Sequence, residues 1–370
     1  MKLLFIVNDL DFFVSHRLPL AKNAVEQGYD VSIISNKYPS KKIKGIDYRA
    51  ISIDRSSTSI LKNLKSLMEL KRIIKEISPD IVHSVTLKSI ILSNLVLLFN
   101  NKVKKVNAVS GMGYLFTSNR VSIILYGLKF ILRVLIKLGK PHFIFQNLDD
   151  LKEFKKLGLK DSYTIIKGSG VDKYEFDYFI PNTNKKINIT FTGRILKDKG
   201  VIDLIKAIEL LPGNVKSKIL VNLYGKIDKE NPAHIDQDEL KNLLIPNLIL
   251  WHGHSDDIKN ILIGSDIYCL PSHREGLPKS TIEAMAIGRP IITTTAPGCD
   301  ETVEEGFNGY KVKVGDSMSL SKKLQKLIEN KQLRIEMGKN SRELFLKNFT
   351  LEKVVSQTFE LYDNLIVNKI

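Results

Sequence analysis

Short apolar runs alternate with longer segments whose apolar positions recur at helical spacing, along the whole chain. Each run has the length of a buried strand, and each longer segment has the periodicity of an amphipathic helix. This alternation predicts parallel sheets joined by crossover helices, and hence an α/β protein. The predicted strands are Leu3–Val7, Val31–Ser35, Ile81–His83, Val106–Val109, Phe143–Gln146, Ile187–Thr192, Ile219–Tyr224, Leu248–Trp251, Ile267–Leu270 and Ile291–Thr294.

The length of the chain and one polar stretch predict two domains. A chain of 370 residues is long enough for two or three domains that each bury a core. The polar stretch Asp177–Lys186, which contains Pro181, has the composition of an interdomain linker. We therefore expect residues 1–178 and 187–350 to form separate domains, followed by a last helix over about Leu351–Val367.

The composition is that of a folded soluble protein, with 43% apolar and 26% charged residues. The two cysteines, Cys269 and Cys299, show neither a zinc spacing nor a disulfide framework. The N-terminal MKLLFIVND has a short apolar run that ends in an acid, which is typical of a first strand rather than of a signal peptide. These features predict a cytoplasmic protein.

The segment EGLPKSTIE places two carboxylates, Glu275 and Glu283, eight residues apart. An apolar run precedes it, and Pro278 stands where the first helical residue is expected, so the pattern predicts strand, loop and helix. A helix N-terminus offers unpaired N–H groups and the positive end of the helix dipole, which suit a phosphate. Because carboxylates repel phosphate, both glutamates are predicted to accept hydrogen bonds from neutral sugar or ribose hydroxyls beside it.

A second candidate element, INITFTGRILKDKG, is an alternating strand followed by a basic turn. Arg194 can bind phosphate oxygens through its fork of donors, and Lys199 adds a compact charge before the next helix. Taken alone, basic residues at such a turn are more often solvated helix caps, and two glutamates at this spacing are more often solvent-facing charges. The occurrence of both elements in one chain, and in this order, favours the functional interpretation over these alternatives.

The stretch LPSHREGLPKSTIEAMAIGRPIITT resembles the E-x7-E signature of the family 4 retaining glycosyltransferases, and GR-x4-KG resembles the diphosphate clamp of that family. The resemblance implies the GT-B fold: α/β, with two Rossmann-like domains facing a central cleft and the C-terminal helix, residues 351–370, crossing back to the first domain. It implies that Glu275 binds the donor sugar and that Glu283 binds the ribose of the nucleotide. The implied donor site consists of Gly193, Arg194, Lys199, Glu275, Gly276, Leu277 and Glu283.

The same resemblance implies a mechanism in which the acceptor attacks on the face that the diphosphate leaves. Arg194, Lys199 and the helix start near Gly276 would stabilise the charge that develops on the leaving group. The motifs Asp9-Leu10-Asp11 and Asp236-Gln237-Asp238 match a D-x-D spacing that binds a divalent metal in another glycosyltransferase architecture. Given the predicted sheets and clamp, we interpret both as fortuitous, and expect neither a metal nor another cofactor.

Basic residues are concentrated in the N-terminal half. Residues 1–180 contain 29 Lys and Arg against 16 Asp and Glu, whereas the remainder contains 27 against 24. Between Ile81 and Leu148 there is no acidic residue. One face of the first domain is therefore predicted to be strongly positive. No RNA- or DNA-binding motif accompanies this charge, so we expect no nucleic-acid partner.

The segment RVSIILYGLKFILRVLIKLGK predicts a very apolar helix on which Lys129, Arg133 and Lys137 recur every four residues. Three charges within the apolar stretch argue against a helix that spans a membrane. A helix that lies in the interface, with its basic groups at anionic headgroups, accommodates both features. The alternative is a buried crossover helix with one solvated basic face.

The N-terminal NDLDFFVSHRLPLAKNAVEQGYDVSIIS and the later VSGMGYLF resemble bacterial transferases that extend polyprenyl-diphosphate-linked glycans, including those that add N-acetylhexosamines. This resemblance implies a UDP-sugar donor, a polyprenyl-diphosphate-linked saccharide acceptor, and a peripheral location on the inner face of the cytoplasmic membrane. His16 is a catalytic and acceptor-binding candidate because it could orient an acceptor hydroxyl, and Arg17 could meet a phosphate. The alternative is that both residues cap the first helix.

Two departures from the family pattern leave the catalytic contribution of the first domain open. Residues 9–13, Asp-Leu-Asp-Phe-Phe, stand where many members have a glycine-rich loop after the first strand. Ala108, Val109 and Ser110 stand where many members have a histidine after the fourth strand.

One other class of protein is rejected, and two remain as alternatives. A dinucleotide-binding enzyme should show G-x-G-x-x-G after a strand, but the strings GMGYLF at Gly111 and GSGVDK at Gly168 lack the third glycine. A nucleotide-sugar epimerase of GT-B architecture would not need a membrane-facing acceptor domain. A noncatalytic protein that binds polyanions or membranes would explain the net charge of +16 without the two motifs. The resemblance of the two motifs implies instead a retaining hexosyltransferase.

Overall fold

The computed structural model describes residues 1–53, 60–112, 123–180 and 186–367. The chain forms two compact units, the first comprising Met1–Ser169 with Glu352–Ile370 and the second comprising Gly170–Leu351. Each unit contains one parallel sheet with helices along the connections. The prediction of an α/β protein with two Rossmann-like domains is confirmed.

The first unit has a seven-stranded parallel sheet of order β3-β2-β1-β4-β5-β6-β7. Its strands are β1 Lys2–Val7, β2 Asp30–Ser35, β3 Ile46–Ala50, β4 Ile81–Val85, β5 Lys104–Val109, β6 His142–Phe145 and β7 Tyr163–Ile165. Its helices are α1 Leu10–His16, α2 Leu18–Glu26, α3 Ile60–Ile77, α4 Leu87–Val96, α5 Ile123–Gly139 and α6 Leu148–Lys156. Every residue of β4 is buried, as expected for a central parallel strand covered on both faces.

The second unit has a six-stranded parallel sheet of order β10-β9-β8-β11-β12-β13. Its strands are β8 Ile187–Thr192, β9 Ile219–Tyr224, β10 Ile249–Trp251, β11 Ile267–Leu270, β12 Ile291–Thr294 and β13 Gly309–Val312. Its helices are α7 Val201–Glu209, α8 Gly213–Lys216, α9 Gln237–Leu243, α10 Ile258–Ile263, α11 Lys279–Ile287, α12 Ser317–Glu329 and α13 Lys331–Asn348. In each sheet the strand order changes direction next to the first strand of the unit, between β1 and β4 and between β8 and β11. Ligands of open α/β sheets bind at such a point.

The last helix, α14 (Leu351–Val367), belongs to the first unit from Glu352 onward. Tyr362 on this helix is fully buried, and its Oη lies 2.5 Å from Nδ1 of His83 on β4. The ring of Phe359 packs against Tyr29 with 5.6 Å between centroids. The C-terminal helix therefore forms part of the core of a unit whose sheet is built from the start of the chain.

All ten predicted strands are present, with ends that differ by at most two residues. Three strands were missed: β3, which alternates buried and exposed residues, β7, which has three residues, and β13, which begins at a glycine. The placement of Pro278 as the first helical residue was wrong by one, because Pro278 is the N-cap and α11 begins at Lys279.

Some sequence predictions concern residues outside the described ones. They are residues 181–185 of the predicted linker, the second half of VSGMGYLF, and Arg120 at the start of the predicted basic helix. Among the described residues, no helix combines the length and apolar character needed to cross a bilayer.

Candidate functional site

The two predicted site elements follow neighbouring strands of the second sheet. Arg194 comes two residues after β8, and the loop that carries Glu275 follows β11. The two strands are parallel, with Ile267 paired to Ile189 and Tyr268 paired to Thr190. Both loops therefore leave the sheet at the same edge, the carboxyl edge where α/β sheets bind ligands.

Direct hydrogen bonds join the two loops. The carbonyl of Asp198 accepts the Ser272 hydroxyl at 3.1 Å and the His273 backbone N–H at 2.8 Å. Gly200 adopts a left-handed φ of +73°, and a Cβ there would collide with the carbonyl of Pro271. The glycine of the GR-x4-KG pattern thus allows the clamp loop to pack directly on the start of the glutamate loop.

This packing places the side chain of Lys199 next to that of Glu275. The Lys199 ammonium forms an ion pair with a carboxylate oxygen of Glu275, and both side chains are largely buried. The two residues are 76 positions apart in the chain. A candidate sugar-binding carboxylate and a candidate diphosphate-binding cation are therefore immediate neighbours.

Tyr268, in the middle of β11, connects the clamp to the start of α11. Its Oη lies 3.0 Å from Oγ1 of Thr192 and 2.8 Å from Oγ of Ser280. Burial raises the pKa of Tyr268 above its ordinary value, so the bridging group is a neutral hydroxyl. Thr192 ends β8 just before Arg194, and Ser280 is the second residue of α11. The clamp turn and the first turn of the helix thus share one short hydrogen-bond chain.

The N-cap of α11 is Pro278, whose side chain makes no capping hydrogen bond. The turn after β12 contacts the loop before α11, because the Pro297 carbonyl accepts the backbone N–H of Glu275 at 3.0 Å. Gly298 has a φ of +76°, and a Cβ there would collide with the carbonyls of Glu275 and Gly276. Sequence reasoning missed Gly298, although a Pro-Gly pair after a strand is a turn signal.

Arg194 also has a carboxylate partner that the sequence did not indicate. Its Nη1 donates to Oδ2 of Asp228 at 2.6 Å, and the side chain of Asp228 is mostly buried. Asp228 follows β9, which pairs with β8 along its whole length. No motif surrounds Asp228, so only the strand order shows that it reaches the clamp.

Glu283 lies one turn into α11 and is 7% exposed. Its Oε1 accepts from Nζ of Lys279, the first residue of the helix, at 2.9 Å. Burial raises the pKa of Glu283, and the neighbouring Lys279 ammonium opposes that shift. The candidate ribose-binding carboxylate is therefore desolvated but retains a charged partner.

Asp198 is a further acidic group in this cluster. Burial raises its pKa, while Lys199 acts in the opposite direction, and Glu275 and Arg194 are close enough to contribute. One of its carboxylate oxygens, Oδ1, is buried without a hydrogen-bond partner among the described residues. Sequence reasoning missed this residue, which stands inside the GR-x4-KG pattern.

In the first unit, His16 and Arg17 occupy different environments. His16 ends α1, with its ring stacked on Phe12 at 4.2 Å and its Nδ1 2.6 Å from Oγ of Ser15. Arg17 is 3% exposed, and burial lowers its pKa to about 10. The Arg17 side chain therefore lies in the interior rather than on the surface. The phosphate contact of Arg17 stays a prediction.

The predicted basic helix is α5. Arg133 and Lys137 are exposed and Lys129 is half-buried. On the same helix, Tyr126 is 66% and Phe130 is 65% exposed. The solvent-facing side of α5 is therefore both basic and aromatic, whereas Leu132 and Leu135 pack inward.

The two D-x-D strings have local structural roles. Asp9 caps α1 by accepting the N–H groups of Asp11 and Phe12. Asp236 is the N-cap residue of α9, and its carboxylate lies 3.3 Å from Nε2 of His234. Within the described parts of the chain, no three His, Cys, Asp or Glu side chains are grouped so that they could hold a metal ion.

The fold is that of the GT-B class, and two family models identify the chain as a glycosyltransferase. The structure superposes on sucrose-phosphate synthase from Thermosynechococcus elongatus with a TM-score of 0.84, at 15% identity and over 99% of both chains. Residues 172–344 match the family described as glycosyl transferases group 1, and residues 2–147 match the family described as glycosyl transferase 4-like. The chain belongs to these glycosyltransferases, as its motifs predicted.

Two characterised relatives extend over most of the chain. One is N,N'-diacetylbacillosaminyl-diphospho-undecaprenol alpha-1,3-N-acetylgalactosaminyltransferase of Campylobacter jejuni, which is 27% identical over 95% of this chain and 96% of that protein. The other is UDP-Gal:alpha-D-GlcNAc-diphosphoundecaprenol alpha-1,3-galactosyltransferase of Escherichia coli, which is 26% identical over 84% of this chain and 82% of that protein.

Proposed function

We propose that this glycosyltransferase moves a hexose, with an N-acetylhexosamine as the expected case, from a UDP-sugar to a polyprenyl-diphosphate-linked saccharide. The contact that carries the proposal is the Lys199–Glu275 ion pair, which lies beside the start of α11. A nucleotide sugar combines a diphosphate with hydroxyl-bearing groups on both sides. Cations flanked by carboxylates suit that chemistry.

The proposed reaction breaks the bond between the anomeric carbon and the donor phosphate oxygen, and forms a bond from that carbon to an acceptor oxygen. The proton of the acceptor hydroxyl passes to the leaving phosphate. Arg194, Lys199 and the α11 start stabilise the negative charge that develops on the diphosphate. Glu275 orients the donor sugar and Glu283 the ribose, and attack on the face that the diphosphate leaves retains the anomeric configuration.

The acceptor class is supported by the names of both characterised relatives, which act on sugars linked to undecaprenyl diphosphate. The uridine nucleotide is supported by the name of the Escherichia coli relative. The family resemblance supports surface polysaccharide or glycan assembly as the setting. His16 stays the acceptor-side candidate of the first unit, and it is the last residue of α1, the helix that follows β1.

A peripheral position on the inner face of the cytoplasmic membrane follows from the acceptor and from α5. The exposed aromatic side chains of Tyr126 and Phe130 and the basic groups of Arg133 and Lys137 lie on one helix. Aromatic groups suit the acyl boundary, and cationic groups suit anionic headgroups. A lipid-linked acceptor requires the enzyme to work at that surface.

Replacement of Glu275 by alanine tests the function. Because Glu275 holds the donor sugar and pairs with Lys199, E275A should lower transfer by roughly a hundredfold or more. Transfer is measured with a panel of nucleotide sugars and a short polyprenyl-diphosphate N-acetylhexosamine, and NMR of the product reports the linkage and the anomer.

The matched control is E239A, which removes an exposed glutamate paired with Lys197 in the same unit and should leave turnover unchanged. Unchanged turnover in E275A would reject the site. Conversion of the nucleotide sugar into its epimer without acceptor would favour the epimerase. Liposome binding without any turnover in the unaltered protein would favour the noncatalytic alternative.

A further inference from the structure

Lys279 is a third basic residue among the donor-site side chains, after Arg194 and Lys199. It is the first residue of α11, and its side chain is 26% exposed. Its Nζ lies 2.9 Å from Oε1 of Glu283, one helical turn further along. This pair occupies the turn of α11 that adjoins the Glu275 loop.

We infer that Lys279 is a positioning residue of the donor site, which holds the Glu283 carboxylate ionised and oriented to accept hydrogen bonds from the two ribose hydroxyls of the nucleotide. This inference rests on the function proposed above and names the group through which Lys279 acts.

The position of Lys279 is unfavourable for the helix itself. A cation in the first turn faces the positive end of the helix dipole, and a lysine four residues before a glutamate is the weaker order of an i,i+4 pair. Asp and Glu, rather than Lys, stabilise the first turn of a helix. Helix stability therefore does not account for a lysine here, whereas a charged partner for a buried carboxylate does.

Glu283 needs such a partner because its surroundings oppose its charge. Burial raises its pKa, and the nearby carboxylate of Glu175 raises it further, while Lys279 lowers it. The neighbouring elements contribute Tyr268 of β11, a neutral hydroxyl, and Arg342 of α13, whose Nη1 donates to the Ala286 carbonyl at 2.7 Å. Lys279 is the cation that acts on Glu283 among these groups.

An ionised carboxylate is the stronger acceptor for a pair of hydroxyls. It accepts through both oxygens, and a hydrogen bond to a charged acceptor is shorter and stronger than one to a neutral acid. Protonation would also convert one oxygen into a donor. Lys279 thereby adjusts donor affinity without touching the bond that breaks, so its effect should fall on donor KM and leave kcat largely unchanged.

The test compares K279M with K279R and with K323M, by calorimetric binding of UDP and by donor KM and kcat. K323M is matched because Lys323 pairs with Glu305 at the same 2.9 Å elsewhere in the second unit. K279M should weaken UDP binding about fivefold near pH 7, the gain expected of a charged over a neutral acceptor. K279R should restore binding, and K323M should match the unaltered protein.

The pH profile separates this role from a purely structural one. Without Lys279 the pKa of Glu283 rises further, so the loss of UDP binding in K279M should be larger at acidic pH than at alkaline pH, where the carboxylate is ionised. With 2′,3′-dideoxy-UDP, which lacks both ribose hydroxyls, K279M and the unaltered protein should bind equally. The melting temperature of K279M should fall somewhat, because the buried Glu283 carboxylate loses its charged partner, so UDP binding is measured well below that temperature.

Two results would overturn the inference while the proposed function stands. One is UDP binding by K279M equal to that of the unaltered protein from about pH 6 to about pH 8.5. The other is an equal loss with dideoxy-UDP, which would place Lys279 on the diphosphate instead. If the unaltered protein neither binds UDP nor transfers sugar from it, the proposed function fails, and the inference fails with it.

Discussion

Arg194, Lys199 and Lys279 each have a carboxylate partner within the second unit, namely Asp228, Glu275 and Glu283. These pairs hold cations at the edge of the sheet without leaving a buried charge uncompensated. A bound diphosphate can accept from the same side chains, since an ammonium has three donors and a guanidinium has five. In the proposed function, donor binding would rearrange hydrogen bonds that already exist.

His273 gives a prediction at the scale of one residue. Its Nε2 lies 2.7 Å from Oδ2 of Asp203 on α7, and that bond raises the pKa of His273 above 6.5. The folded state thus binds the proton more tightly than the unfolded state does. The stabilisation is fully present below about pH 6.5 and is lost as the pH rises through the higher folded pKa.

Urea unfolding should therefore show that D203N has a lower free energy of unfolding than the unaltered protein at about pH 6, and that this difference becomes smaller when the pH is raised to about pH 8.5. The matched control is D256N, because the His254–Asp256 pair is 3.2 Å long but exposed, and its difference should be small at both pH values. If the free-energy difference between D203N and the unaltered protein were the same at both pH values, the bond to Asp203 would not be what raises the pKa of His273.

At the scale of elements, the helix α5 carries the membrane proposal. Replacing Lys129, Arg133 and Lys137 by glutamine should weaken binding to anionic phosphatidylglycerol vesicles, at roughly 1 kcal/mol for each well-placed basic group. Flotation at rising salt measures this, and binding to anionic vesicles should fall as salt screens the charges.

The control removes the same charge from α6, where Lys152, Lys155 and Lys156 are exposed. Vesicle binding of that variant should stay close to that of the unaltered protein. Flotation that is insensitive to salt and equal for the α5 and α6 variants would contradict an interfacial α5.

The strands that were predicted correctly are those whose apolar sequence pattern matches their burial in the sheet. Strands such as β8 and β11 are apolar runs bounded by loop residues, and their bounds matched the expectation. The strands β3 and β7 lie at the two edges of the first sheet and are short or half-exposed, so their sequences carry little of the buried-strand pattern. Their pairing depends on the neighbouring strand, which local sequence does not show.

At the scale of the whole molecule, α14 makes the first unit depend on the last residues of the chain. Tyr362 bonds to Nδ1 of His83, and Nε2 of His83 has no partner among the described residues. Burial lowers the pKa of His83 well below its usual range, so the ring is neutral. This buried pair ties the C-terminal helix to the central strand β4.

Y362F should lower the free energy of unfolding by about 1–3 kcal/mol, the cost of leaving a buried polar group without its partner. Urea unfolding measures this, with Y126F as the control because Tyr126 is exposed. Equal stability of the two variants would show that the His83–Tyr362 bond contributes nothing.

Periodicity and motif spacing were sufficient for the α/β class, for the strand, loop and helix around Glu275, and for the basic turn after β8 that carries Arg194. These features depend on residues close together in the chain, where backbone geometry links pattern to structure. The contacts of Arg194 with Asp228 and of Lys199 with Glu275 span 34 and 76 residues. They depend on which strands are neighbours, and so does the interior position of Arg17. Only the assembled sheets establish those neighbours, because their order is set by packing over the whole unit rather than by any local pattern.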